Sequence, residues 1–498
     1  MNNTTGASNT AVGHGALHSN TCAHSNTAVG HCALRNNSCS GAKENVAVGV
    51  SALITNCAGC RNVAVGPSAL YNNTSGVRNQ AFGGWALRRN TTGHNNTASG
   101  YYALNCNTTA GDSVAYGHYA LRHNTASSNT AVGVYAGCGN TTGAVVAVGN
   151  AALKDNTTGQ NTAVGLCAAG KTTTGTHNTV IGRCANYLST AGSCNTIMGD
   201  HAAHYNTGNN NTVFGRLASY CNGTGSNNVV VGVAAMCKNT TGGNNVAVGY
   251  HALCASTTAS SNVAVGYQAL MDNTTGTYNA AFGYRSAFNV STGCQNTASG
   301  YNALYCATTG GNNVAVGTNA NCLVITGSCN VAVGRNAGVS CSSFNNTIAI
   351  GNNVSATGSN YTFIGNSDTV CSVVPNISTN CFTTGAFMES NLSSFEIKGN
   401  PTGTILIWKD GKAIPCEEEY DVTVLGVAAD NNESPIIIGA EPVLVTGPIN
   451  EGDFIVTSDK RGHGKKGFSN NLFGKVIAQA LESGDGDSYT IKAMIRKM

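Results

Sequence analysis

The sequence predicts an all-β chain: a parallel β-solenoid, or β-roll, of about 22 coils of 16–17 residues, followed by a small β-barrel-like domain. Three observations predict it. A short motif ending in glycine recurs from Gly13 to Gly365. The residues around that glycine have strand and turn preferences, with neither helix caps nor a helical period. Near residue 393 the repeat gives way to longer apolar runs with more Lys, Glu and Asp.

The clearest copy is Asn262-Val263-Ala264-Val265-Gly266-Tyr267-Gln268-Ala269-Leu270, closed by Asn273-Thr274-Thr275-Gly276. Most steps between repeat glycines are 17 residues; four are 16, one is 19 and the last is 14. A helical repeat needs about 33 residues, so each coil is expected to hold two short strands, of about four or five residues each, and two turns. The glycine is expected to answer a close backbone approach or a positive φ at the strand end.

Both faces of the strand are apolar. Val12, Phe82, Ile181, Phe214, Val265 and Ile350 precede the glycine, and the residue before, on the opposite face, is usually Ala (Ala11, Ala81, Ala264), with Val180, Ile197 and Val213 mid-chain. Such a strand is normally buried on both sides, yet one coil has one inside. Sister chains would cover the other, which predicts a parallel homotrimer; the alternative is a monomeric solenoid with a small-residue core. The third residue after the glycine is nearly always Ala (Ala16, Ala33, Ala52, Ala69, Ala269), with exceptions Ser286, Val354 and Asp368, and small residues permit tight packing.

These residues, with the N-T-T-G turn, resemble the head repeat of YadA-like trimeric autotransporter adhesins. The resemblance implies a left-handed trimeric β-roll, although only the last step, of 14 residues, has that family's usual length. Runs of the longer coil are similar to virion fibre proteins of cyanophages.

Composition narrows the function. The 498 residues carry 25 Lys+Arg and 22 Asp+Glu; residues 1–385 have 14 and 6, a net of +8, and residues 386–498 have 11 and 16, a net of −5. The positive charge is spread thinly, so nucleic-acid binding is not expected. Neither a secretory signal nor an apolar run long enough for a membrane span is visible. A bacterial surface adhesin would carry both, so the expected location is a virion, the protein being made in the host cytoplasm. The 21 cysteines include a lone Cys57-x-x-Cys60, too little for a zinc site, and ladders Cys221, Cys237, Cys254 and Cys306, Cys322. They read as small buried hydrophobes of a reducing compartment; rung-to-rung or interchain disulfides are the alternative.

Taken in order, residues 1–351 form the shaft, its first coils exposing an edge that docks on another tail protein or a like molecule. Residues 352–392 are the neck, a last coil and linker. Residues 393–498 form a compact all-β domain with strands over Thr404–Trp408, Asp421–Ala428, Pro435–Ile438, Pro442–Thr446, Asp453–Thr457, Gly474–Ala480 and Tyr489–Met494. Its stretch from Glu441 to Glu482 resembles the C-terminal domain of phage fibres, which implies a trimerisation chaperone or a binding tip.

No catalysis is expected. The repeat's acids, Glu44, Asp112, Asp155, Asp200, Asp272 and Asp368, lie more than two coils apart, whereas a glycosidase needs two carboxylates within roughly 5–10 Å. The acidic run Glu417, Glu418, Glu419 and Asp421 reads as a solvated turn, and the N-x-T triplets as turn chemistry. No cofactor or metal is expected. The ligand-binding candidates are two aromatic ladders: Trp85, Tyr102, Tyr119 and Tyr135, and Tyr250, Tyr267, Tyr284 and Tyr301. Stacked rings lie well against sugar faces, and they also stabilise stacked strands. The expected function is a homotrimeric phage tail fibre or tail-associated adhesin that attaches to a host-surface glycan. A self-assembling extracellular filament or bacterial adhesin, and a carbohydrate-processing or self-cleaving enzyme, are the alternatives.

Overall fold

The computed structural model describes residues 4–366 and, beyond them, Pro448 and nine strand segments between Phe387 and Ile495. The chain divides into two compact units, Met1–Ser372 and Val373–Met498. Among the described residues every regular element is a strand.

The first unit is a parallel β-solenoid. A three-residue strand recurs in each coil, from β1 (Thr10–Val12) through β20 (Val331–Val333) to β22 (Ile348–Ile350) and β24 (Thr362–Ile364), and together they make one 22-stranded sheet. Each strand pairs in parallel with its equivalent one coil on, as Val263, Ala264 and Val265 pair with Ala280, Ala281 and Phe282. Residues 352–366 belong to a last, shorter coil, and between it and the coil before a separate two-stranded sheet forms, β21 (Gly338–Val339) with β23 (Ser355–Ala356).

Two strands per coil were expected from the coil length; in the regular coils there is one. The rest of the coil is a stack of turns, and backbone conformation is the reason. The second and fourth residues after the repeat glycine, and the fifth before it, take positive φ: 54° at Gln268, 50° at Leu270 and 59° at Ser261. A left-handed residue at every second position breaks an extended run. These turns still bond from coil to coil, Gln268 N–H to the Tyr250 carbonyl at 2.8 Å and Leu270 N–H to that of Ser286 at 3.0 Å. Val, Ile and Thr are common in the chain, yet none of the described left-handed residues is one of them. A branched Cβ is the side chain that conformation tolerates least.

The glycine itself meets both reasons given for it. Gly13 has φ 125°, and a Cβ there would stand 2.7 Å from the Gly30 carbonyl oxygen. That neighbour is backbone and cannot turn aside.

Inside the coils the core is narrow and uniform. The middle residue of the strand points inward, so Ala264 is fully buried, against Ala269 and Leu270. The recurrent third-position Ala therefore packs within its own coil and has no bearing on contact between chains. Two further interior columns are asparagine, although the sequence reads Asn as turn and surface. Asn262 takes its place before the strand; its backbone N–H and Nδ2 both donate to Asn245 Oδ1, at 3.0 and 3.2 Å, and Nδ2 also donates to the Gly276 carbonyl at 2.9 Å. The second column runs from turn to turn, with Asn73 Nδ2 on Asn56 Oδ1 at 2.9 Å and Asn90 Nδ2 on Asn73 Oδ1 at 2.8 Å. Where the column is unbroken, each amide satisfies a neighbour that would otherwise be an orphaned polar group in the interior; Asn107, Asn140, Asn156 and Asn273 keep an unpartnered Oδ1.

In the second unit the described strands are Phe387–Met388, Ile405–Lys409, Lys412–Pro415, Val424–Val427, Ile436–Val445, Phe454–Thr457, Gly464–Lys466, Val476–Ala480 and Tyr489–Ile495. Two of the expected strands merge into Ile436–Val445, and Lys412–Pro415 and Gly464–Lys466 were not anticipated. Pairing is almost wholly antiparallel; the longest ladder sets Gly439–Val445 against Tyr489–Ile495. The acidic run 417–421 and Asp368 lie outside the described residues.

Candidate functional site

The outer surface of the shaft is built from the residues that flank each inward Ala and from the turn beyond the glycine. The residue before the glycine points out along the full length, from Val12, 57 % exposed, through Phe82, Tyr116, Met198 and Phe282 to Ile364, also 57 % exposed. The outward column is therefore apolar from the first coil to the last except at Ser99 and Ser299, and no described part of the chain covers it.

The two aromatic ladders occupy adjacent columns. Tyr250, Tyr267, Tyr284 and Tyr301 directly follow the glycine and are exposed; their rings stack at 5.2, 5.0 and 5.1 Å, within 12° of parallel. Trp85, Tyr102, Tyr119 and Tyr135 sit one place later, in the left-handed position, and are half-buried. Tyr102 and Tyr119 stack at 5.3 Å and Tyr119 and Tyr135 at 5.1 Å, while Trp85 meets Tyr102 edge-on at 4.7 Å. Ring separations in this range are the favourable ones. The structure thus brings each foursome together, the second as a continuous stack and the first as three stacked tyrosines with Trp85 edge-on at one end.

Sequence inspection missed what lies over the first ladder. Arg88 stands 5.0 Å above the Trp85 ring, Arg122 stands 5.2 and 4.9 Å above Tyr102 and Tyr119, and Lys154 stands 5.3 Å above Tyr135. Each is the fifth residue after its glycine (Gly83, Gly117, Gly149), and that shared offset was the available signal. The same column later carries the aromatic stack of Tyr187, His204 and Tyr220, with His204 and Tyr220 at 5.1 Å. The second ladder has one cation, Arg285, 5.4 Å from Tyr284.

Of the five described repeat acids, four are engaged: Glu44 by Arg61 at 2.8 Å, Asp112 by Asn95 at 2.9 Å, Asp155 by Lys171 at 2.8 Å, and Asp200 by Arg183 at 2.8 and 3.1 Å. The Arg61 and Arg183 partners hold Glu44 and Asp200 below the usual carboxylate range. The described cysteines are all free thiols, and only Cys32 and Cys254 are buried, so the cysteines do not serve generally as small core residues. Two pairs come into contact between coils, Cys39 with Cys57 at 2.9 Å and Cys237 with Cys254 at 3.0 Å. In the second pair the hydrogen bond pushes the Cys237 thiol up and brings Cys254 down to about 7. Among the described residues no three His, Cys, Asp or Glu side chains are grouped to hold a metal, and no helix is long and apolar enough to cross a membrane.

No protein-family model and no curated protein matches the chain.

Proposed function

We propose that the chain is the subunit of a homotrimeric structural fibre, a left-handed β-roll shaft with a C-terminal β-barrel-like domain, which serves on a phage virion as a tail fibre or tail-associated adhesin. Its part there is attachment to the host surface through sugars laid against the aromatic ladders, without catalysis or a cofactor.

The observation that carries this reading is the outward apolar column from Val12 to Ile364. Fully burying one valine-sized side chain contributes about 1.5 kcal/mol. With roughly two-fifths of each still exposed, covering one adds about 0.6 kcal/mol, so contact along much of the shaft is what offsets an association cost of about 4–15 kcal/mol. A partner that covers every coil must repeat with the same rise, and a second copy of the chain in parallel does so without slipping. The pairings of Ile436–Val445 with Tyr489–Ile495, of that strand with Val476–Ala480, and of Phe454–Thr457 with both Val476–Ala480 and Gly464–Lys466 lead back to Val445. That ring supports the barrel-like reading.

Charge placed on the column tests assembly. Val265→Asp with Phe282→Asp should leave the rungs folded, seen as retained hydrogen-exchange protection, while light scattering falls from three chains towards one. If the unaltered protein already scatters as a single chain, the fibre reading is wrong.

A further inference from the structure

We propose that the first ladder is a groove for an extended acidic polysaccharide that carries one carboxylate on every second sugar ring; the proposal rests on the sugar-binding reading above and gives it a ligand class. What sets the ladder apart for binding is the column of cations beside it. Arg88, Arg122 and Lys154 recur at every second coil, which is about 10 Å at a strand spacing of about 4.8 Å. The intervening places are kept short: Asn105 is buried and turned inward, with Nδ2 on the Trp85 carbonyl at 2.9 Å, and Cys138 is half-buried.

None of the three cations has a carboxylate partner among the described residues, whereas Arg61, Lys171 and Arg183 each have one. The Nε of Arg88 and that of Arg122 are shielded from solvent and donate to nothing among the described residues. Each guanidinium stays within about 5 Å of the rings, and its terminal N–H groups supply the paired donors that a carboxylate accepts. Stacked rings at one-rung spacing meet successive sugar faces, since an extended, equatorially linked pyranose chain advances by about one rung of 4.8 Å per ring. Alternate rings then bring their carboxylates to the cations. A neutral chain would use the rings and leave the cations idle, and the phosphates of a nucleic acid would be better served by an unbroken basic track.

The test is calorimetric titration of the full chain with two probes, hyaluronan oligosaccharides, which alternate uronate and neutral sugar, and the same oligosaccharides with their carboxyls amidated. The expected result is tighter binding of the charged form, weakened by added salt, and a loss of at least about tenfold for Arg88→Gln with Arg122→Gln. Both arginines are half-buried, and an unchanged melting profile verifies that the variant is folded. Equal binding of the two probes, or unchanged affinity in the double variant, overturns the acidic-ligand proposal and leaves the sugar reading standing. Binding of neither probe also overturns it; the sugar reading is then decided separately by neutral glycans on the Tyr250–Tyr301 ladder and their loss in Tyr267→Ala with Tyr284→Ala.

Discussion

The inside and the outside of each coil are written in different ways. Inside, a few small or apolar types and one amide return: Ala at most strand centres and at the third place after the glycine, Leu most often at the fourth, Asn before most strands. Outside, the column after the glycine passes through His, Val, Pro, Gly, Tyr, Asn, Leu and Arg before it settles into four tyrosines. Interior places are fixed by packing and by amide bonding to the coil above and below, so one residue suits them all. Outer places are free of that demand, and a run of one residue type there needs another cause. The difference directs attention to the two aromatic ladders and the cations over one of them.

Substitutions at interior places should cost most. Leu270→Ala should destabilise its coil by about 3 kcal/mol, as a large-to-small change in a tight core does. Because a solenoid can open locally, hydrogen exchange of the coils around Leu270 reports it better than a single melting point. Asn262→Ala should cost nearly as much, about 2 kcal/mol, since the backbone N–H of Asn279, its equivalent one coil on, loses the Oδ1 it donates to, at 2.9 Å. A cost as small as that of an outer substitution at either place would erase the contrast between the two sides.

A gain is expected where an interior column is broken. Asn156 Oδ1 and Thr172 Oγ1 are buried without partners, because the coil above Asn156 carries Thr172 in place of an asparagine. Thr172→Asn should restore the ladder and stabilise by about 1 kcal/mol in chemical denaturation. Outside, Tyr119→Ala should cost about 1 kcal/mol or less, the worth of ring stacking, and Asp200→Asn at most about 0.5 kcal/mol, because the Arg183 pair is solvated. The sign of the latter follows from the lowered Asp200 carboxyl: its contribution is present above the ordinary carboxylate range and fades as pH falls through it. Melting of wild type and Asp200→Asn should therefore converge in acid.

The repeat made much of this legible. Strand positions, the inward Ala and outward Val of Ala264 and Val265, the glycine's two constraints and both aromatic foursomes follow from residue type and a fixed offset. Three things did not. Strand number per coil depends on φ at Gln268 and Leu270, and neither residue advertises a left-handed conformation as glycine does. The buried role of Asn262 was hidden because asparagine is equally at home in turns. The cation column was missed because Arg88, Arg122 and Lys154 differ in type and skip alternate coils, so only their offset from the glycine unites them.

What lies against the outward column decides whether the chain is a fibre subunit. An electron cryomicroscopy cross-section of the purified shaft should show three coils around one axis, with the Val265 and Phe282 columns turned towards sister chains. A single coil with those columns facing solvent would contradict it.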